Sequence, residues 1–113
     1  PAYKLAAERT GDKEPDGYVS QATDWASMAV LTIAKAKEAS GVAMKENIRK
    51  ICQGSGQKVY SAVEGLKAMA EGKEINYEGA SGPCDFTDIG DILGCRFRYM
   101  HVVKGKLEFL KLV

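Results

Sequence analysis

Several features that carry function in other proteins are scarce in this chain of 113 residues. It has one histidine, which excludes a metal cage built from several histidines. Sixteen Lys and Arg residues against fifteen Asp and Glu residues give a formal net charge of +1, so no strong positive field draws the chain onto phosphate backbones. It also lacks an apolar run long enough to cross a bilayer. We therefore expect no nucleic acid partner and no membrane-spanning segment.

The cysteines are few and widely spaced. The chain has three cysteines, Cys52, Cys84 and Cys95, so at most one internal disulfide can form. No two of them have the close spacing of structural zinc ligands. A zinc site with His101 would lack any tight ligand pair, and we expect no metal and no cofactor. Cys95 and His101 lie about 20 Å apart along one predicted strand, at roughly 3.3 Å per residue. This separation argues against a catalytic pair, and we expect the chain not to be an enzyme.

What the chain does contain is the composition of a folded domain. Apolar residues make up 45% and charged residues 27%, which is ordinary for globular proteins and distinct from disordered ones. The length fits one domain or a part of one. Because the chain opens with Pro1 and not with an initiator methionine, we expect it to have been processed or cut from something longer.

Apolar residues recur at helical spacing in four stretches. The second has a wide apolar face that includes Trp25, Ala29 and Ile33, which is typical of a helix packed against a sheet or between other elements. Thr23 or Asp24 is expected to cap its first turn, because a short side-chain oxygen accepts from free backbone N–H groups. The predicted helices cover residues of about 2–9, 24–39, 44–52 and 61–71.

Sequence patterns typical of strands occur before the second helix and after the fourth. Residues 18–21 (YVSQ) favour a short strand or an extended entry into the second helix, and 75–77 and 84–86 favour strands. Two alternating runs, 95–103 and 106–113, are joined by a turn at Lys104-Gly105 and predict a hairpin. The fold class is therefore α/β, with helices followed by a C-terminal β-hairpin. The strand at 18–21 and the helix after it would form half of a βαβ unit whose remaining strands are missing.

Two loops carry residues that are often found at ligand sites, but their contexts favour turns. Gly54 and Gly56 follow a predicted helix, whereas a phosphate-binding glycine loop follows a strand and opens a helix. Asp85, Asp88 and Asp91 are spaced by three and lack the closing glutamate of a calcium loop. We expect these aspartates to make turns through bonds to their own backbone.

The segment 18–24 is the best candidate for contact with a ligand. It combines an aromatic ring, several neutral hydrogen-bonding side chains and a helix N-terminus at the end of a predicted strand, where open α/β sheets bind their ligands. The residues alone support equally well an alternative in which Tyr18 belongs to the core and Thr23 and Asp24 only cap the helix.

Three tracts carry a resemblance to a known family. They are 18–36 (YVSQATDWASMAVLTIAKA), 56–60 (GQKVY) and above all 76–86 (NYEGASGPCDF), which is followed by Gly90-Asp91 and the last hairpin. Together these tracts resemble the C-terminal third of branched-chain amino acid type solute-binding proteins. Members of that family are extracellular ligand receptors of ABC importers and have the type I periplasmic-binding fold.

The resemblance implies a two-lobed protein that closes on a small ligand, an amino acid or a related carboxylate or amide, and then docks on an ABC permease. Residues 1–94 would be a late segment of the first lobe. Residues 95–113 would form the end of the interlobe crossing and the terminal hairpin of the second lobe. The crossing itself would begin near Gly90. Much of the ligand site would lie upstream of this chain. The positions that the resemblance carries over as ligand-binding are Tyr18, Ser20, Gln21 and Thr23.

Further expectations accompany this resemblance. The protein would be periplasmic, or extracellular and tethered to the membrane, and an oxidising compartment would permit a disulfide such as Cys52 to Cys84. Because the missing strands would leave an apolar face and a strand edge bare, we expect contact with the remainder of the same protein or with another copy. A ligand-sensing regulatory or receptor domain of the same fold is the alternative function.

Overall fold

The computed structural model describes residues 1–11, 13, 17–94 and 97–113. The described residues form four helices and four strands, which confirms a mixed α/β chain. In chain order they are α1 (Ala2–Thr10), α2 (Gly17–Ala36), α3 (Gly41–Cys52), β1 (Gln57–Val59), α4 (Ala62–Ala70), β2 (Ile75–Tyr77), β3 (Arg98–Val103) and β4 (Lys106–Leu112).

Local chemistry accounts for one end of each of three helices, whereas α2 ends at Ala36, before the stop that Ser40 and Gly41 predict. Helix α1 stops at Gly11, which adopts the left-handed conformation that glycine tolerates best. Helices α3 and α4 begin after Ser40 and Ser61, and each serine side chain accepts a hydrogen bond from a backbone N–H of the first turn. All four predicted helices are present, with boundaries shifted by up to seven residues. Pro15 and Gly17 predict a polar turn over 12–17, and most of that segment lies outside the described residues.

The predicted strand at 18–21 is wrong, because these residues form the first turns of α2. The buried residues Ser20, Asp24, Met28 and Leu31 are three or four positions apart and therefore lie on one helical face. The first two are polar, so a search for apolar periodicity does not detect this face. The predicted cap is wrong for the same reason: Thr23 lies inside the helix, where its hydroxyl donates to the Val19 carbonyl at 2.8 Å.

A complete βαβ unit lies in the middle of the chain. Strands β1 and β2 pair in parallel, with Gln57 opposite Ile75 and Val59 opposite Tyr77, and α4 connects them. We did not predict β1, which is only three residues long and has one buried side chain. The expected half of a βαβ unit at 18–36 is therefore wrong, and the βαβ unit in the described residues is this later one, with a sheet of two strands.

The core surrounds this unit. Helix α2 packs on α3 and α4, and α3 packs on β2. Close packing between α2 and α4 depends on Gly65, since a Cβ there would lie 2.4 Å from a methyl group of Leu31. Gly56 allows the chain before β1 to approach the chain before β2 closely, because a Cβ there would lie 2.5 Å from the Glu74 backbone. Other members of the buried cluster are Met28, Ile51, Cys52, Val59, Ile75, Tyr77 and Cys84.

Strands β3 and β4 form the predicted antiparallel hairpin, with the turn at Lys104-Gly105 and a register shift between Tyr99 and Met100. Each residue of the two strands is exposed except Val103. The predicted strand at 84–86 is absent: Phe86 makes only an isolated bridge to Ile92. The molecule is elongated, at 53 × 32 × 24 Å, with a radius of gyration of 15.7 Å against about 13 Å for a compact chain of this length.

None of the helices in the described part of the chain is both long and apolar enough to cross a membrane.

Candidate functional site

A cleft of about 800 Å³ opens between the first half of α2, the loop at 80–86 and the base of the hairpin. This volume lies within the range of small-molecule sites. The polar side chains on its walls include Tyr3, Ser20, Gln21, Asp24, Ser81 and Arg98. Its apolar walls include Trp25, Met28, Ile48, Phe86, Phe97 and Leu112.

The buried carboxylate of Asp24 organises one wall of this cleft. Asp24 lies on α2 and is only 2% exposed. Its Oδ1 accepts from the Tyr77 hydroxyl at 2.9 Å and from the Ala80 N–H at 2.6 Å. Its Oδ2 accepts from the N–H and the hydroxyl of Ser81, at 2.8 and 2.5 Å. Four donors on one carboxylate hold the loop at 80–81 against the helix.

Gly79 makes this arrangement sterically possible. A Cβ at this position would lie 2.5 Å from Oδ2 of Asp24 and 2.7 Å from Sγ of Cys84. The Gly79 N–H also donates to the Gly82 carbonyl at 3.1 Å, which closes a tight turn around the carboxylate. The loop therefore requires glycine at position 79 because of close approach and not because of its backbone angle.

Residues 86–88, at the C-terminal end of this loop, are hydrogen-bonded to α3. The Arg49 guanidinium donates to the carbonyls of Thr87 and Asp88, at 2.7 and 3.2 Å. The Gln53 side-chain amide donates to the Phe86 carbonyl at 3.0 Å. Together with Asp24, these bonds hold the loop at both ends, so this wall of the cleft is preorganised.

Buried groups beside the carboxylate remain protonated. Burial, with a smaller contribution from the charge of Asp24, raises the pKa of Cys84 from 9.0 to about 12. Burial also raises the pKa of Tyr77 above its ordinary value, so its hydroxyl stays a donor to Asp24. Cys52 behaves in the same way, with a pKa raised to about 12 mainly by burial. Both cysteines are free thiols, so the predicted Cys52–Cys84 disulfide is not formed.

The cleft contains two of the four residues predicted to bind a ligand. Ser20 and Gln21 line it, Ser20 buried and Gln21 exposed. Tyr18 is 82% exposed and is not part of the lining, so it belongs neither to the cleft nor to the core. Thr23 is also outside the lining, and its hydroxyl is bonded within the helix. The segment lies on a helix and not at the end of a strand.

Sequence reasoning nominated neither of the two charged residues of the cleft as ligand-binding, although Asp24 lies in the candidate segment 18–24. Asp24 was interpreted as a helix cap, whereas its partners lie more than fifty residues further along the chain. Arg98 lies in the predicted hairpin run 95–103, to which the sequence assigned no ligand-binding role. One signal pointed to Asp24: an aspartate within a strongly apolar helical stretch needs partners for its buried charge.

The other candidate loops contain turns. In the aspartate-containing loop, the Thr87 hydroxyl accepts from the Asp91 N–H at 3.0 Å and the Thr87 N–H donates to the Asp91 carbonyl at 2.7 Å. The predicted turn is confirmed, but Thr87 closes it and not the aspartate side chains. Gly54 and Gly56 connect α3 to β1, as expected for a plain turn. The described residues contain no group of His, Cys, Asp and Glu side chains placed to hold a metal ion, and Cys95 lies outside them.

Comparison of this chain with protein-family models, with curated proteins and with solved structures gives no match.

Proposed function

We propose that this chain is part of a binding protein that captures a small molecule in the cleft between α2 and the hairpin. The observation that carries the proposal is the unequal attachment of the two walls. The loop at 80–88 is fixed to α2 and α3 by Asp24, Arg49 and Gln53. In the described part of the chain, the extensive packing of the hairpin strands is with each other and not with the helices and strands of the body. A fixed wall facing a loosely attached one suits capture by closure, and capture of this kind requires no reaction at the bound molecule.

The family resemblance extends this proposal to a substrate-binding component of an ABC importer with the type I periplasmic-binding fold. In this interpretation the ligand is an amino acid or a related carboxylate or amide, and residues 1–94 and 95–113 belong to different lobes. The segment between the loop and the hairpin contains Gly90 and Gly94, both with φ in the left-handed region, at 98° and 70°. Such positions suit a connection that bends between lobes. The transport partner would be a membrane permease, and the location periplasmic.

A thermal-shift screen of this chain against amino acids, amides and small carboxylates tests ligand capture. A ligand at 100 times its dissociation constant should stabilise the folded state by about 2.7 kcal/mol. Trp25 is the only tryptophan, lies on the cleft wall and is 68% exposed, so its fluorescence should change when the cleft is occupied.

Two adjacent variants on α2 locate the binding. Gln21→Phe places a ring in the cleft and should abolish the ligand-dependent shift. Ala22→Phe adds the same ring at an exposed neighbouring position outside the lining and should leave the shift intact. Equal ligand response in both variants, or no response of the chain to any compound of the three classes, would contradict capture in this cleft.

The exposed apolar side chains of the hairpin support the expected contact with the remainder of the same protein or with another copy. Val102 and Leu107 pair across the hairpin and are each 70% exposed, so they form an uncovered apolar surface. We expect concentration-dependent self-association of the isolated chain in light scattering. The double variant Val102→Lys with Leu107→Lys should reduce it, whereas Val42→Lys, at a position 68% exposed on α3, should not. A chain that stays monomeric at all concentrations would contradict this expectation.

A further inference from the structure

The cleft has two charged side chains on its described walls, Asp24 and Arg98, and they differ in whether their hydrogen-bonding capacity is already used. A ligand can exploit only the capacity that remains. The difference therefore indicates the charge of the ligand, provided that the proposed function is correct and the cleft binds a small molecule.

The acceptor sites of the negatively charged group in the cleft are already occupied. A carboxylate offers about four lone-pair sites, and Asp24 receives four hydrogen bonds, from Tyr77, Ala80 and twice from Ser81. An ammonium group that approached Asp24 would have to displace one of these donors and leave it buried without an acceptor. That loss would cancel much of the gain from the new contact.

The positive charge of the cleft is available. Arg98 begins β3 at the base of the hairpin, and its guanidinium makes no ion pair or hydrogen bond with any residue in the described part of the chain. A guanidinium presents several N–H donors in a planar fork, which matches the two oxygens of a carboxylate. Arg98 can therefore bind an anionic group without losing a partner from the described part of the chain.

The remaining surface of the cleft determines the body of the ligand. Trp25 and Met28 line the α2 side, and Phe97 and Leu112 line the hairpin side. Trp25 and Phe97 are 68% and 65% exposed, so a ligand between the two sides would cover apolar surface that now faces water. The neutral groups of Ser20 and Gln21 supply hydrogen bonds but no second charge.

We propose that the cleft selects an apolar monocarboxylate without an amino group, with the carboxylate on Arg98 and the hydrocarbon body between Trp25 and Phe97. An α-amino acid of the same shape would bring an ammonium group for which the described walls offer no free anionic partner. Its binding should be about tenfold weaker, the cost of burying a charged donor that is poorly paired.

Three probes with the same branched body separate these contributions: 4-methylpentanoate, leucine and 4-methylpentanamide. Leucine adds an ammonium group to the acid, and the amide removes the negative charge. Calorimetric titration of the whole chain at pH 7, with Trp25 fluorescence as a second readout, should give tightest binding for the acid. Leucine and the amide should each bind about tenfold more weakly.

Charge variants then assign the selectivity to one side chain. Arg98→Gln should weaken binding of 4-methylpentanoate by tenfold or more and leave the amide unchanged. Lys106→Gln removes the same charge from the far end of the hairpin, outside the cleft lining, and should change neither affinity. Both positions are exposed, so neither variant should affect folding.

Leucine binding as tightly as the acid, or an Arg98→Gln variant that binds the acid normally, would overturn this inference and leave ligand capture standing. If none of the three probes binds while another compound of the broader screen does, the ligand class is wrong but the proposed function survives. If no compound in either experiment binds, both are wrong.

Discussion

The body of this molecule and its terminal hairpin differ in how far their large apolar side chains are buried. In the body, α2, α3 and the βαβ unit share one buried cluster, and the large side chains of Leu31, Ile51 and Tyr77 are almost completely covered. In the hairpin, seven of the large apolar residues within β3 and β4 are at least 38% exposed: Tyr99, Met100, Val102, Leu107, Phe109, Leu110 and Leu112. Stability should therefore reside in the body, and the hairpin should be free to contribute to binding or association.

Two leucine truncations should produce the largest contrast. Leu31 is completely buried between α2 and α4, so Leu31→Ala should lower the free energy of unfolding by about 3 to 5 kcal/mol through lost burial and a residual cavity. Leu107→Ala, at a position 70% exposed, should change it by less than about 0.5 kcal/mol. Urea unfolding followed by circular dichroism measures both. Comparable losses would mean that the hairpin shares the stability of the body.

The next contrast concerns the wall of the cleft. Gly79→Ala forces a methyl group against Asp24 and Cys84 and should cost about 1 to 3 kcal/mol of unfolding free energy. Gly17→Ala is the matched control, since a Cβ at that position meets no atom of the described residues within 4 Å. Gly17 lies in the first turn of α2, where alanine should do no harm. If Gly79→Ala unfolds at the same urea concentration as the parent chain, the loop does not enclose the carboxylate as described.

The body should also respond to alkaline pH through its buried thiols. Folding raises the pKa of Cys52 and Cys84 from 9.0 to about 12, so the folded state holds these protons more tightly than the unfolded chain. Their contribution to stability is complete below about pH 9 and is lost as the pH rises towards 12. The free energy of unfolding should fall by at most about 1.4 kcal/mol per pH unit for each thiol.

Urea titrations at pH 8, 9 and 10 under reducing conditions measure this slope. In the Cys52→Ala and Cys84→Ala variants the slope should be shallower than in the parent chain, whatever stability each substitution costs at pH 8. An identical slope in parent and variants would show that these thiols are not protected from ionisation by the fold.

The smallest expected effect comes from the ion pair between α2 and the residue that precedes β2. Lys35 contacts both carboxylate oxygens of Glu74, at 2.7 and 2.8 Å, but the glutamate is largely exposed. Lys35→Gln should cost about 0.2 to 1 kcal/mol, and the cost should shrink at high salt. Lys45→Gln, at an exposed position on α3, is the control and should have no effect. A loss above 1 kcal/mol that persists in salt would contradict a surface interaction.

Prediction from the sequence succeeded where short-range chemistry decides the structure. The helix of residues 61–71 and the hairpin with its turn at Lys104-Gly105 follow from local periodicity and turn residues, and both are present. Prediction failed at 18–21, where the buried helical face begins with Ser20 and Asp24 and therefore lacks an apolar pattern. It also missed β1, whose three residues are too few for a periodic signal.

The sequence by itself determined the elements whose information lies within a few neighbouring residues: the apolar stripes, the serine caps at Ser40 and Ser61 and the glycine stop at Gly11. Only the tertiary structure decided the cleft, because its walls come from segments more than fifty residues apart. Asp24 meets Tyr77 and Ala80 through contacts that no local pattern encodes. A buried carboxylate must find its donors wherever the fold supplies them, so its role becomes visible only when the chain is folded.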